Sequence, residues 1–195
     1  MDKKRSVQIG VARGKYGRPS HQKEQYRSIE FVRKNYDKSM NAKELLILNF
    51  EEVRRRSIKV WKNIPEAHLY WKPDPGAMSS FQMVRHVLES ENIYHQIILH
   101  RGALGSYESP LTGNPYTTID DELRNAQPYR EKFLKMVHSF SQKELDEVYI
   151  TRKEKNQHRK LGDYLLRMAY HESVHTGQVL DYLRTLNAPR AAIWD

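Results

Sequence analysis

The chain has 195 residues, no cysteine and a formal net charge of +9, and this length suits one domain with a core that needs no disulfides. The absence of cysteine fits a reducing compartment and excludes cysteine nucleophiles and thiolate ligands, so any metal would be held by His, Asp or Glu. No apolar run approaches the roughly 20 residues that cross a bilayer, and the N-terminus lacks the apolar core of a secretory signal, so we predict a cytoplasmic protein without membrane contact.

Most of the positive charge lies in residues 1–40, which carry eleven Lys/Arg against four Asp/Glu, a net of +7. Tyr16 and Tyr26 lie among these basic residues, but the segment contains no recognisable nucleic-acid-binding motif. We therefore interpret 1–40 as a solvated basic arm that precedes a domain spanning 41–195. A nucleic-acid partner is not expected.

The first predicted helix covers about 41–62. Asn41, with Glu44 three residues later, forms a capping-box pattern. The apolar residues that follow have helical spacing, and Pro65 marks the end of the helix. Prolines and a glycine then predict a turn-rich connection that ends in two serines suited to cap the next helix.

The second predicted helix, about 80–101, is apolar nearly all round, which is typical of a helix buried on most sides. A long loop rich in glycine and proline follows. The third predicted helix covers about 119–139, where Pro128 predicts either a kink or a late start.

Residues 148–150 have the composition of a short extended run, although one such run is weak evidence for a strand. The last predicted helix spans about 161–186 and ends before Asn187 and Pro189. Four long helices without a convincing sheet predict an all-α fold, a four-helix bundle with a basic N-terminal extension.

The last helix contains the sequence YHESVHTGQ, residues 170–178, which includes the pattern H-E-x-x-H. On a helix, His171 and His175 project from one face about one turn apart, close enough to share a metal ion. Zinc proteases with this pattern take a third ligand downstream, but no His or Glu follows His175. The protease interpretation is therefore set aside, and the third ligand must come from another helix.

The second helix offers two alternatives for that third ligand. His86 is one, and His95 with Glu91 one turn before it is the other. These residues lie on nearly opposite faces of the helix, so each alternative implies a different rotation of the helix about its axis. The spacing of the residues does not choose between them.

The segments WKPDPGAMSSFQMVRHVLESE and LGDYLLRMAYHESVHTGQVLDYLR together resemble the DinB-like (YfiT-like) metal-binding four-helix-bundle proteins. The shared features are a W-x-P-x-P-G loop, a serine cap, a histidine in the first third of the second helix, and H-x-x-x-H followed by Gly-Gln in the last. The resemblance covers about residues 40–190. It assigns the metal to His86, His171 and His175, and thereby selects His86 over His95.

The resemblance also implies a class of activity. Relatives include transferases and isomerases that use a low-molecular-weight thiol such as bacillithiol or mycothiol, and proteins described as metal-dependent hydrolases. We therefore expect an S-transferase or hydrolase acting on a small molecule, with zinc or nickel on three histidines. The alternative is a metal-stabilised bundle without catalysis that acts in binding or assembly. The resemblance further implies a homodimer.

Two neighbours of the histidines are further candidates. Glu172 could act as a general base, but one helical step turns it by about 100° from His171, so a solvated or salt-bridged role is an equal alternative. Gln178, one turn after His175, could hydrogen-bond a ligand from behind or serve in ordinary polar packing. His95 and Glu91 are kept as alternative ligands or as residues that support the ligands.

Overall fold

The computed structural model describes residues 40–194. Helix α1, Ala42–Trp61, begins after Asn41, whose side chain accepts a hydrogen bond from the Glu44 amide while the Glu44 carboxylate accepts one from the Asn41 amide. The predicted capping box is thus present. The basic arm lies outside the described residues except for Met40, so its role stays a prediction.

The next two helices begin at caps that the sequence also contains. Helix α2, Ser80–Leu99, starts with a second capping box, which Ser79 and Gln82 form. It is buried on most of its circumference, as predicted. Helix α3, Ile119–Ser139, runs through Pro128 without a break in its assignment. The alternative of a late start at Pro128 is therefore wrong; the proline occupies an exposed position inside the helix.

A small β-hairpin separates α3 from the last helix. Strands β1, Tyr149–Arg152, and β2, Gln157–Lys160, pair antiparallel, with Tyr149 opposite Lys160. A turn through Asn156, which has a φ of 48°, joins the two strands. Strand β1 accounts for the extended run predicted near 148–150, whereas its partner strand was not predicted.

A short helix that was not predicted, α4, spans Gln142–Glu147. Its sequence signal is a third capping box, in which the Ser141 side chain accepts from the Glu144 amide and the Glu144 carboxylate accepts from the Ser141 amide. Six residues give too few turns for an apolar period to reveal a helix.

Helix α5, Leu161–Thr185, completes the bundle. It packs against both α1 and α2, and α3 closes the bundle from the other side by packing against the same two helices. The predicted four-helix bundle is therefore confirmed, with the hairpin and α4 added to it. Among the described residues, no helix is long and apolar enough to span a membrane.

The interior contains two apolar clusters. One is centred on Phe133 and Leu165, near the hairpin, and the other on Trp61 and Phe81, at the far end of the bundle. Between the two clusters lies a charged layer to which each of the four long helices contributes one buried side chain: Arg54 from α1, Glu91 from α2, Arg130 from α3 and Glu172 from α5.

Candidate metal centre

Three histidines converge at the contact between α2 and α5. His86 projects from α2, and His171 and His175 project from successive turns of α5. The Nε2 atom of His171 lies 3.2 Å from that of His86 and 3.1 Å from that of His175. In the part of the chain that the structure describes, this is the one group of three or more His, Asp or Glu side chains whose donor atoms gather closely enough to hold an ion.

The spacing of these nitrogens fits a single divalent ion. Nitrogens bound at 2.0–2.1 Å in tetrahedral geometry lie about 3.3–3.4 Å apart, close to the two measured separations. Each imidazole is partly exposed, so one side of the cluster faces solvent. The arrangement therefore matches a site with three protein ligands and room for an exchangeable one.

The electrostatics of the cluster favour neutral imidazoles. Burial, reinforced by the neighbouring His175 and His86, lowers the pKa of His171 to about 4. Burial and His175 also lower the pKa of His86. At neutral pH both rings therefore keep a lone pair available to a cation.

Gln178 supports the cluster from outside. Its side-chain oxygen lies 2.7 Å from Nδ1 of His175. If that oxygen accepts the Nδ1 proton, the lone pair of His175 is left on Nε2, the atom that faces the other two histidines. This contact is the geometry that the first of the two predicted roles of Gln178, a hydrogen bond to a ligand histidine, requires.

Glu172 points away from the histidine cluster. Its two carboxylate oxygens accept hydrogen bonds from Nε and Nη2 of Arg54 at 2.8 and 3.0 Å, and only 6% of the residue is exposed. Of the predicted alternatives for Glu172, the structure displays the salt-bridged one. The guanidinium of Arg54 thus engages both carboxylate oxygens, and neither oxygen is directed at the histidines.

The alternative ligand pair on α2, His95 and Glu91, lies away from His171. Glu91 accepts hydrogen bonds from Arg54 and Arg130 in the charged layer. His95 packs beside Phe133 of α3, with ring centroids 6.2 Å apart. Neither residue joins the cluster, so the rotation of α2 is the one in which His86 faces α5.

Arg54 and Arg130 hold Glu91 and Glu172 in place, and neither arginine is among the residues that the sequence predicts for the site. Both arginines are more than nine-tenths buried. Burial alone would lower the pKa of Arg54, but Glu91 and Glu172 raise it above its ordinary value. A sequence signal for Arg54 exists, since it falls in register with Phe50, Ser57 and Trp61 on the buried face of α1.

Comparison with known proteins gives a consistent picture. The family model of the DinB superfamily matches residues 49–179. No curated protein matches the chain significantly.

Two solved structures from Bacillus subtilis share the fold. The DinB-like protein YjoA is 22% identical, with a TM-score of 0.56 over 76% of this chain and 96% of its own. YfiT, described as a probable metal-dependent hydrolase with an unusual four-helix bundle topology, is 15% identical, with a TM-score of 0.63 over 78% of this chain and 93% of its own.

Proposed function

This chain belongs to the DinB superfamily, and we propose that it is a divalent-metal-dependent enzyme whose ion is held by His86, His171 and His175. The observation that carries the proposal is the convergence of three Nε2 atoms, from two helices, on one half-exposed point. The description of the structurally similar YfiT as a probable metal-dependent hydrolase supports the same class of activity.

The histidines suit this role because neutral imidazoles bind zinc or nickel well and leave the charge of the ion uncompensated. When bound, such an ion supplies Lewis acidity, which lowers the pKa of a water or thiol and polarises a substrate carbonyl. The chain itself contributes orientation. Gln178 orients the ring of His175. The charged layer keeps α2 and α5 in a fixed register along the bundle axis, because Arg54 contacts a glutamate from each helix.

We favour hydrolysis of a small electrophilic substrate as the reaction. Transfer of a low-molecular-weight thiol is the second candidate, supported by the resemblance described above and by the absence of cysteine, which means that a thiol would come from a cofactor. A non-catalytic, metal-stabilised bundle remains the alternative of a different class.

Metal analysis of the full chain, purified without an affinity tag or added metal, tests the site. We expect about one equivalent of zinc or nickel in the wild type and none in His86→Ala or His171→Ala. His95→Ala is the matched control, a histidine of the same helix outside the cluster, and should keep the metal. Retention by His86→Ala would contradict the ligand assignment, and a wild type that binds no divalent metal after reconstitution would contradict the function.

The cobalt-substituted protein separates an enzyme from a structural metal site. Acetohydroxamate should change the visible d–d absorption if one coordination position is exchangeable. An unchanged spectrum at millimolar hydroxamate would favour the non-catalytic alternative. Ester and amide panels, with and without added bacillithiol or mycothiol, then distinguish hydrolysis from thiol transfer.

We also propose a homodimer. Leu166, Tyr170 and Val174 form an exposed apolar stripe along α5, and Tyr170 is 74% exposed. Analytical ultracentrifugation should detect a dimer that Tyr170→Glu dissociates; a monomeric wild type would contradict the proposal. The cytoplasmic location stays a prediction.

A further inference from the structure

Arg167, on α5, differs from the other arginines of the described chain. Among residues 40–194 it is the one arginine that is at least partly buried yet makes no ion pair or hydrogen bond, and its Nε atom is buried without a partner. The other arginines with at least partial burial all pair with a carboxylate: Arg54, Arg56, Arg85, Arg130, Arg152 and Arg159.

The carboxylate one turn before Arg167 on α5 is already engaged. It belongs to Asp163, which accepts from Arg159 at 2.9 Å. A buried N–H without an acceptor lowers stability, and such groups are rare in native proteins. The missing hydrogen-bond acceptor for Nε of Arg167 therefore requires an explanation.

The position of Arg167 relates it to the metal centre. Arg167, His171 and His175 follow one another at intervals of four residues, so they share one face of α5. Four residues of helix separate Arg167 from His171 by about 6 Å along the axis. A substrate of only a few bonds would span that distance.

Aromatic side chains border the surface between His171 and Arg167. The Tyr94 ring lies 5.5 Å from that of Tyr164 and 6.4 Å from that of His171. Burial raises the pKa of Tyr164, whereas the hydrogen bond and charge of Arg152, and then the charge of Arg167, act in the opposite direction. Tyr164 lies three residues before Arg167 on α5, so the two side chains are neighbours on the helix surface. The surface between His171 and Arg167 is thus bordered by rings, and its far end carries an unpaired cation.

A guanidinium presents a planar fork of donors that matches the two oxygens of a carboxylate or phosphate. We propose that Arg167 binds the anionic oxygens of the substrate while the reacting group of the same molecule lies at the three histidines. This inference rests on the proposed function and deepens it, because it assigns the substrate to the class of small carboxylates or phosphates.

Bifunctional probes test this assignment in the zinc-loaded full chain. Succinic acid monohydroxamate carries a metal-binding group and a carboxylate. Its phosphonate counterpart replaces the carboxylate, and its primary amide is the neutral control. By calorimetry, we expect the wild type to bind at least one anionic probe about tenfold or more tightly than the amide, the effect of one charged hydrogen-bonded pair. The preferred anion identifies the substrate class.

Three variants assign the preference to the residue. Arg167→Met should bind the amide as the wild type does and lose the preference for the anion, whereas Arg167→Lys should keep part of it. Arg184→Met is the matched control, since Arg184 is an exposed arginine of the same helix that already pairs with Asp181. It should behave as the wild type, and circular dichroism should show that all three variants are folded.

The outcomes separate this inference from the proposed function. If the wild type binds the neutral amide at the zinc ion but shows no preference for either anion, the function stands and the inference is wrong. A preference that survives in Arg167→Met also overturns it. If the wild type binds neither zinc nor hydroxamate, the proposed function fails and the inference fails with it. Should Arg167→Met not fold, the wild type and Arg167→Lys decide between these outcomes.

Discussion

Replacement of Arg54 by methionine tests whether the charged layer is held together by its ion pairs. Methionine keeps much of the apolar stem but removes the charge, leaving the Glu172 carboxylate buried without its two hydrogen bonds. Removal of one partner from a buried pair costs about 3–5 kcal/mol, because the remaining charge is uncompensated. Both side chains are less than one-tenth exposed, so solvent does not screen this loss.

The double variant Arg54→Met/Glu172→Leu gives the sharper result. It removes one positive and one negative charge and leaves the Arg130 and Glu91 pair neutral as a whole. We therefore expect it to lose less stability than the two single variants combined, with a coupling energy of about 3 kcal/mol, near the top of the usual range. Urea unfolding at pH 7 with a chelator measures the free energies without a contribution from bound metal.

Arg55→Met is the matched control for this prediction. Arg55 is the next residue of the same helix and pairs with Glu52 in a more exposed position, so its replacement should change the free energy of unfolding by no more than about 1 kcal/mol. If Arg54→Met costs no more than Arg55→Met, or if the double variant equals the sum of the singles, the layer does not act as a coupled set of charges.

Three further predictions follow from single contacts. Gln178→Leu should weaken zinc binding by about 10–100-fold, the usual effect of losing a residue that orients a ligand, whereas the exposed control Gln127→Leu should not; equal affinities in a chelator competition would contradict this. Burial, and secondarily Lys132, lowers the pKa of His95 in the folded protein. As the pH falls below about 6.5, His95 is therefore protonated in the unfolded chain before it is protonated in the folded one. The free energy of unfolding should therefore decrease from pH 7 to pH 5, and it should decrease less in His95→Phe. If urea unfolding gives the same change in free energy between these two pH values for both proteins, the assignment is refuted. Gly113→Ala should cost about 1–2 kcal/mol for its positive φ alone, and Gly102→Ala should cost clearly more, because its Cβ would lie 1.9 Å from a backbone oxygen of β1; similar melting temperatures of the two variants would contradict the clash.

The sequence predicts the helices of this fold because their signals are local. The cap at Asn41, the cap at Ser79 and the 3.6-residue period of the apolar positions each involve residues within a few turns of one another. The rotation of α2 is a different case. Because α2 is buried nearly all round, its apolar pattern does not reveal which face meets α5, and only the family resemblance selects His86 over His95.

The environment of Glu172 could not be predicted either, because it depends on a contact between helices that are distant in the chain. Its partner Arg54 lies 118 positions away in the chain, and no local spacing indicates which charged residues meet across a bundle. The pattern H-E-x-x-H does place the two histidines on one face, and the 100° turn to the next residue indicates that Glu172 points elsewhere. Whether it then meets solvent or an arginine depends on how α1 and α5 pack.

The charged layer also explains how histidines from two helices are held at the same position along the bundle axis. Consider a slip of α5 by one turn along α1. In the apolar clusters on either side of the charged layer, one leucine or methionine would then take the place of another, so apolar packing alone does not oppose the slip. Such a slip would separate Glu172 from Arg54 and leave buried charges unpaired, at a cost of about 3–5 kcal/mol. The same slip would move His171 by about 5.4 Å relative to His86, beyond the separation at which two nitrogens share an ion. Because Glu91 lies on α2 with His86, and Glu172 lies next to His171 on α5, the side chains that oppose the slip belong to the helices that carry these histidines. The buried charges therefore fix the register on which the proposed metal centre depends.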